Sequence, residues 1–140
     1  VEKAQAVARE ADEVVVAGDT TVAVGRRILP QAADAEMQRG FLELLSGRRH
    51  HVWSAVCVID TEGRVRSRIS DSIVRFKRLS AAEIDAYLAS GEGLGKAGGY
   101  AIQGRAEALI DWMAGSHSGV VGLPLYETRT LLRASGYPVE

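Results

Sequence analysis

Apolar positions along this 140-residue chain switch between a helical period and a strand period, and the switches mark its elements. Over residues 2–11, Ala4, Val7, Ala8 and Ala11 fall on one helical face among good helix formers, which predicts a helix. Residues 13–17 read as a short buried strand, and Thr21, Val22 and Val24 continue in β-favouring residues. The spacing predicts a helix over 33–45 with Met37, Phe41, Leu44 and Leu45 inward and Gly47 as its C-terminal cap. Residues 51–60 predict a strand. A turn at DTEGRV follows, and 64–77 returns as a long, partly buried strand, with Arg66, Arg68 and Ser70 alternating against Val65, Ser67 and Ile69. Ser80 and Glu83 form a capping box that opens a helix to Ser90, and Gly91 stops it. Residues 106–113 fit strand or helix equally. Pro124 fits the first turn of a last helix running to about Ala134, before Gly136.

Interspersed helices and strands, with an antiparallel pair over 51–77, predict an α/β (α+β) domain with a mixed sheet. The length suits one domain over 1–140, and no repeat or linker divides it. Composition narrows the class further. Hydrophobic residues make up 46% and charged residues 25%, which supports a buried core and solubility. Lys plus Arg is 17 against 18 for Asp plus Glu, so no basic footprint for nucleic acid is present. The local basic spots at Arg26-Arg27, Arg48-Arg49 and residues 75–78 read as solvated charge. No apolar run approaches the ~20 residues of a membrane span, and no signal peptide opens the chain. Cys57, the single cysteine, lies in an apolar run; it excludes an internal disulfide and favours a cytoplasmic setting and a buried side chain.

Candidate chemistry is sparse. Asp19 follows a buried strand and Gly18, where a carboxylate can hold a metal ion or deprotonate water; a turn aspartate capping its own backbone is the commoner use of this pattern. Lys96 sits among glycines whose N–H groups could cradle an anion, although the P-loop spacing is absent and a glycine turn with a solvated lysine fits equally. Gln103 can read a nucleobase edge or satisfy backbone groups. His50 and His51 fall on opposite strand faces, so a shared metal site is not expected, and no Cys/His cluster supports zinc. The neighbours Ser116, His117 and Ser118 are no sign of a triad.

Four segments in order, AGDTTVAVGRRIL, LLSGRRHHVWSAVCV, GKAGGYAIQG and GSHSGVVGLPLYET, together strongly resemble the Maf family of nucleoside triphosphate pyrophosphatases. The resemblance covers nearly the whole chain. It implies an α/β fold related to inosine triphosphate pyrophosphatases and hydrolysis of a nucleoside triphosphate to monophosphate and pyrophosphate. It also implies a divalent cation, Mg²⁺ or Mn²⁺. By this resemblance Asp19 is the general base and a metal ligand, and Lys3 and Lys96 attend the substrate phosphates. Thr20 and Gln103 form a specificity pair of the dTTP/UTP type rather than the 7-methyl-GTP type. A homodimer stays open, and a membrane partner is not expected.

Two departures accompany the resemblance. The family's opening strand and helix, with an S-x-S-P-R-R phosphate motif and a metal-proximal glutamate, precede the point where this chain begins, so the 140 residues alone are expected to be a poor enzyme. Gln31 stands where the family carries a lysine. The alternative expectation is a catalytically impaired nucleotide-binding or interaction domain of the same descent. A third is a structural partner that supplies a sheet to another chain.

Overall fold

The computed structural model describes residues 13–139. The helix expected over 2–11, and Lys3 with it, lies outside the described residues. Five strands form one sheet in the order β2-β1-β3-β4-β5: β1 (Val15–Val24), β2 (Arg27–Leu29), β3 (Arg49–Ile59), β4 (Val65–Phe76) and β5 (Ile110–Ala114). Four α-helices accompany them among the described residues: α1 (Ala35–Leu45), α2 (Ala81–Ser90), α3 (His117–Val121) and α4 (Leu125–Ala134). The expected mixture of helices and strands is present. The sheet expected to be mixed is, among the described strands, antiparallel at every pairing. The β1–β2 and β3–β4 connections are short turns, which join only antiparallel neighbours.

The stretch read as a strand over 13–17 is continuous with the β-favouring residues after it and forms one ten-residue strand. β2 pairs with residues 22–24 only, so the first part of β1 runs past its end. On the face of the sheet covered by helices, Val22, Val24, Val52, Val74 and Phe76 meet Phe41, Leu42 and Leu45 of α1 and Ile84 and Tyr87 of α2 in the main core. Val56 and Val58 continue that face and pack on Leu131 of α4. Cys57, as expected, is buried, on the opposite face beside Val15 and Ile59.

β4 is partly buried, and Ser70 and Ser72 face the helices while Ser67, Asp71 and Arg75 lie on the other face. Ser70 and Ser72 are buried, while Ile69 is 69% exposed. Those two serines seat the GSHSG segment. Ser72 Oγ accepts from Ser116 N at 2.9 Å, and a Cβ at Gly119 would lie 2.7 Å from Ser70 Oγ. Any larger residue at 119 would lift the segment off β4.

Local signals place the helices well. Ser80 and Glu83 form the full capping box of α2, and Gly91 ends it in the left-handed region. The segment ambiguous between helix and strand is both in turn, a 3₁₀ helix over Arg105–Leu109 followed by β5. Pro124 is the N-cap of α4, one position before the expected first turn. Its fixed φ suits either place, and its carbonyl accepts from Thr128 N. Of the basic spots, Arg26, Arg27, Arg48 and Arg78 are exposed, while Arg75 pairs with Asp111, Lys77 with Glu83, and Arg49 lies over the Trp112 ring.

Candidate active site

Where β1 runs past the end of β2, two adjoining cavities of about 240 and 580 Å³ open beside it. They share Asp19, Thr20, Gln31 and Ala97. The smaller one is also lined by Lys96, Tyr100 and Gln103. The fold therefore brings Asp19, Thr20, Lys96 and Gln103 to one place, from sequence positions more than eighty residues apart. Among the described residues, Asp19 and Lys96 are the only charged side chains on the walls.

The glycine-rich segment is positioned by backbone pairing with the stretch after β2. Gly95 N donates to Ala32 O at 2.8 Å, Ala32 N to Lys96 O at 3.1 Å and Gly98 N to Leu29 O at 3.2 Å. Gln31 and Ala97 face each other in this bridge. The amides of Lys96 and Gly99 also bond within the loop. Of the two readings open for this segment, the backbone bonding fits the glycine turn with a solvated lysine and not the anion cradle. The amides of Gly95, Lys96, Gly98 and Gly99 hold the loop in place, and the charged group on offer is the exposed Lys96 side chain. Gly98 has φ +73°, and a Cβ there would press within 2.9 Å of Val22 Cγ1. The glycine lets the loop lie on β1, which brings Lys96 and Gln103 up to Asp19 and Thr20.

Asp19 is exposed, and its Oδ1 accepts from Thr20 N at 3.1 Å. Thr20 lies directly opposite Ser54 across β1 and β3, with the two hydroxyl oxygens 3.2 Å apart. Ser54 is fully buried and donates to the Gly119 carbonyl.

Tyr100 forms part of the wall, and its hydroxyl lies 2.6 Å from Nε2 of buried His50. His50 stacks on Phe76 and meets Tyr100 edge-on, while its Nδ1 has no hydrogen-bond partner among the described residues. Burial, and next the neighbouring His51, hold His50 down to about 4. Burial pushes the Tyr100 hydroxyl well above the ordinary tyrosine range, and Tyr87 adds to this. The pair is thus a neutral hydrogen-bonded support behind the 99–103 segment. Gln38 of α1 locks the same segment from the other side, donating from Nε2 to Gly99 O at 2.9 Å.

Sequence reasoning did not single out Ser54, Tyr100, His50 or Gln38 for these roles. The alternation through β3 does place His50, Val52, Ser54 and Val56 on one face, and a serine and a histidine among valines there was the available signal. Gln38 carries no such signal, because its partner is a carbonyl 61 residues away. The two histidines lie on opposite faces as expected, and His51 pairs with Asp71. His117 is exposed at the start of α3.

Among the described residues no group of three or more His, Cys, Asp or Glu could hold a metal ion. Asp19 is the single carboxylate that the described residues bring to the cavities. That donor set does not make an all-protein metal cage. It does fit a hard divalent cation that arrives on phosphate oxygens and takes one carboxylate from the protein.

A family model described as a Maf-like protein matches residues 1–135. The chain belongs to the Maf-like protein family. It is 69% identical over 137 residues to a protein of Sphingopyxis alaskensis, a match covering 98% of this chain and 72% of that relative. A protein of Novosphingobium aromaticivorans is 61% identical over 139 residues, covering 99% of this chain and 69% of the relative. One of Rhodospirillum rubrum is 59% identical over 136 residues, covering 96% and 65%. Each of the three is named a dTTP/UTP pyrophosphatase. Among the described residues, no helix is long and apolar enough to cross a membrane.

Proposed function

We propose that this chain is a nucleoside triphosphate pyrophosphatase that hydrolyses dTTP and UTP to the monophosphate and pyrophosphate. The observation that carries this reading is the convergence of Asp19, Thr20, Lys96 and Gln103 on one cavity, in a chain 69% identical to a relative of that name. The reaction needs an activated water, neutralised phosphate charge and a held base. Asp19 takes a proton from a water whose oxygen attacks the α-phosphorus. The bond from that phosphorus to the α–β bridging oxygen breaks, and the bridging oxygen leaves with the pyrophosphate. Lys96, with Lys3, offsets the charge of the phosphates. A Mg²⁺ or Mn²⁺ ion, when bound, supplies further neutralisation, with Asp19 as its protein ligand. Thr20 and Gln103 hold the base, since an amide that both donates and accepts matches the edge of uracil or thymine. A single buried cysteine accords with a reducing cytoplasm.

Gln103→Glu tests the base assignment. The change removes the amide donor and adds a charge at an exposed position. It should lower kcat/KM for dTTP and UTP by about 30-fold and leave Tm nearly unchanged. A preference of the unmutated protein for 7-methyl-GTP in a nucleotide panel would reject the assignment.

Gln31 favours the second reading, a binding domain with weakened turnover. It lines both cavities beside Lys96, and it supplies no charge where the resemblance implies a lysine. Gln31→Lys should raise kcat/KM for dTTP by about 3- to 10-fold through one charge-assisted phosphate contact. An unchanged value in a pyrophosphate-release assay would show that position 31 does not meet the phosphates.

A further inference from the structure

We infer that Ser54 is a positioning residue that sets base selectivity, by fixing the direction of the Thr20 hydroxyl. The inference rests on the reading above, in which the base lies at Thr20 and Gln103. Ser54 is fully buried, and its hydroxyl donates to the carbonyl oxygen of Gly119, a group that can only accept. A hydroxyl has one proton. Ser54 therefore meets Thr20 Oγ1, 3.2 Å away, with a lone pair, and Thr20 supplies the proton of that contact. The arrangement is fixed from both ends. Thr20 and Ser54 are register partners across β1 and β3, and Gly119 is held by its own N–H donating to Ser116 Oγ at 3.0 Å. Turning the Ser54 proton towards Thr20 would leave a buried carbonyl without its donor, which is unfavourable.

With its proton committed, Thr20 offers only lone pairs to the cavity it lines. A base that meets Thr20 must bring a donor. The ring N3–H of uracil or thymine does so. Cytosine presents a lone pair at N3, and two lone pairs repel. A threonine hydroxyl free to rotate would accept either base; Ser54 removes that choice. The selected class is then imide-bearing pyrimidine nucleotides, with cytosine nucleotides rejected.

The test compares UTP with CTP by kcat/KM, and UMP with CMP by Kd, for the full chain and for Ser54→Ala, Thr20→Val and the double variant. Ser54→Ala should narrow the uracil-to-cytosine ratio by about 10-fold. In the Thr20→Val background the same change should leave the ratio where it is, because Ser54 acts through Thr20. If Ser54→Ala does not fold, Ser54→Cys replaces it, keeping the volume and only a weak S–H donor. An equal loss for both nucleotides, or the same narrowing without the Thr20 hydroxyl, would overturn the inference and leave the pyrophosphatase reading standing. A wild-type protein with no preference for uracil would overturn both.

Discussion

Asp19→Asn should reduce pyrophosphate release from dTTP by at least about 100-fold, because a positioned general base contributes on the order of 10²–10⁴ to rate. The substitution keeps the side-chain volume and an oxygen able to accept from Thr20 N. It removes the basic lone pair that receives the proton from water. The loss should therefore fall on kcat, with KM for dTTP changed little. Stability should also change little, since Asp19 is exposed. A metal titration separates the two roles assigned to this carboxylate. If Asp19 only held the cation, raising Mg²⁺ or Mn²⁺ would restore turnover to the variant, whereas a lost base is not restored by metal. Near-normal turnover by Asp19→Asn at ordinary metal concentration would remove Asp19 from the mechanism.

How far the sequence foretold this site depends on the range of each interaction. The capping box at Ser80 and Glu83 and the glycine stop at Gly91 are decided within a few residues, and both stand in the structure. The alternation through β3 separates His50 from His51 for the same reason: strand faces follow from a period of two. Asp19 was visible as a carboxylate after a buried strand, but β1 continues through it to Val24, so it is not at a strand end, and the residues alone could not tell a turn cap from a base. What raises it is the loop carrying Lys96 and Gln103, and that loop is placed by hydrogen bonds to residues 29–32 that no local pattern announces. The glycines left two readings open, an anion cradle or a turn beside a solvated lysine. In the structure their amides are bonded within the fold, and Gly98 serves close approach to Val22 instead. Burial of Gln38 was hidden by its polarity, since the carbonyl that satisfies it becomes a neighbour only in the folded chain. Residues 106–113 were ambiguous because a 3₁₀ turn and a strand share them, so neither period could dominate.

Lowering the pH from 6.5 to 4 should destabilise the fold through His50 by on the order of 3 kcal/mol. The neutral imidazole stacks on Phe76 and is hydrogen-bonded to the Tyr100 hydroxyl. Burial first, and then the charge on His51, hold its titration in the folded chain at about 4, against 6.5 as the ordinary value. In the window between those values the unfolded chain binds a proton that the folded chain does not. Stability is then fully present above about 6.5, falls as the pH drops through the window, and flattens near 4, where folded His50 is itself protonated. Asp60 and Glu83 are held below their ordinary values by Arg66 and Lys77 respectively, so their acid losses set in below the upper part of the histidine window. His50→Gln keeps a polar group towards Tyr100 but cannot titrate. The variant should be less stable at pH 7, and its stability should change far less than that of the wild type between pH 6.5 and 5. Urea unfolding at half-unit pH steps measures both curves. Because folded His50 stays neutral until the pH nears 4, the support that Tyr100 gives behind residues 99–103 should persist through the window, and nucleotide affinity of the folded wild type should fall only near its lower end. Parallel curves for the two proteins across that window would show that His50 does not set the acid sensitivity of the fold.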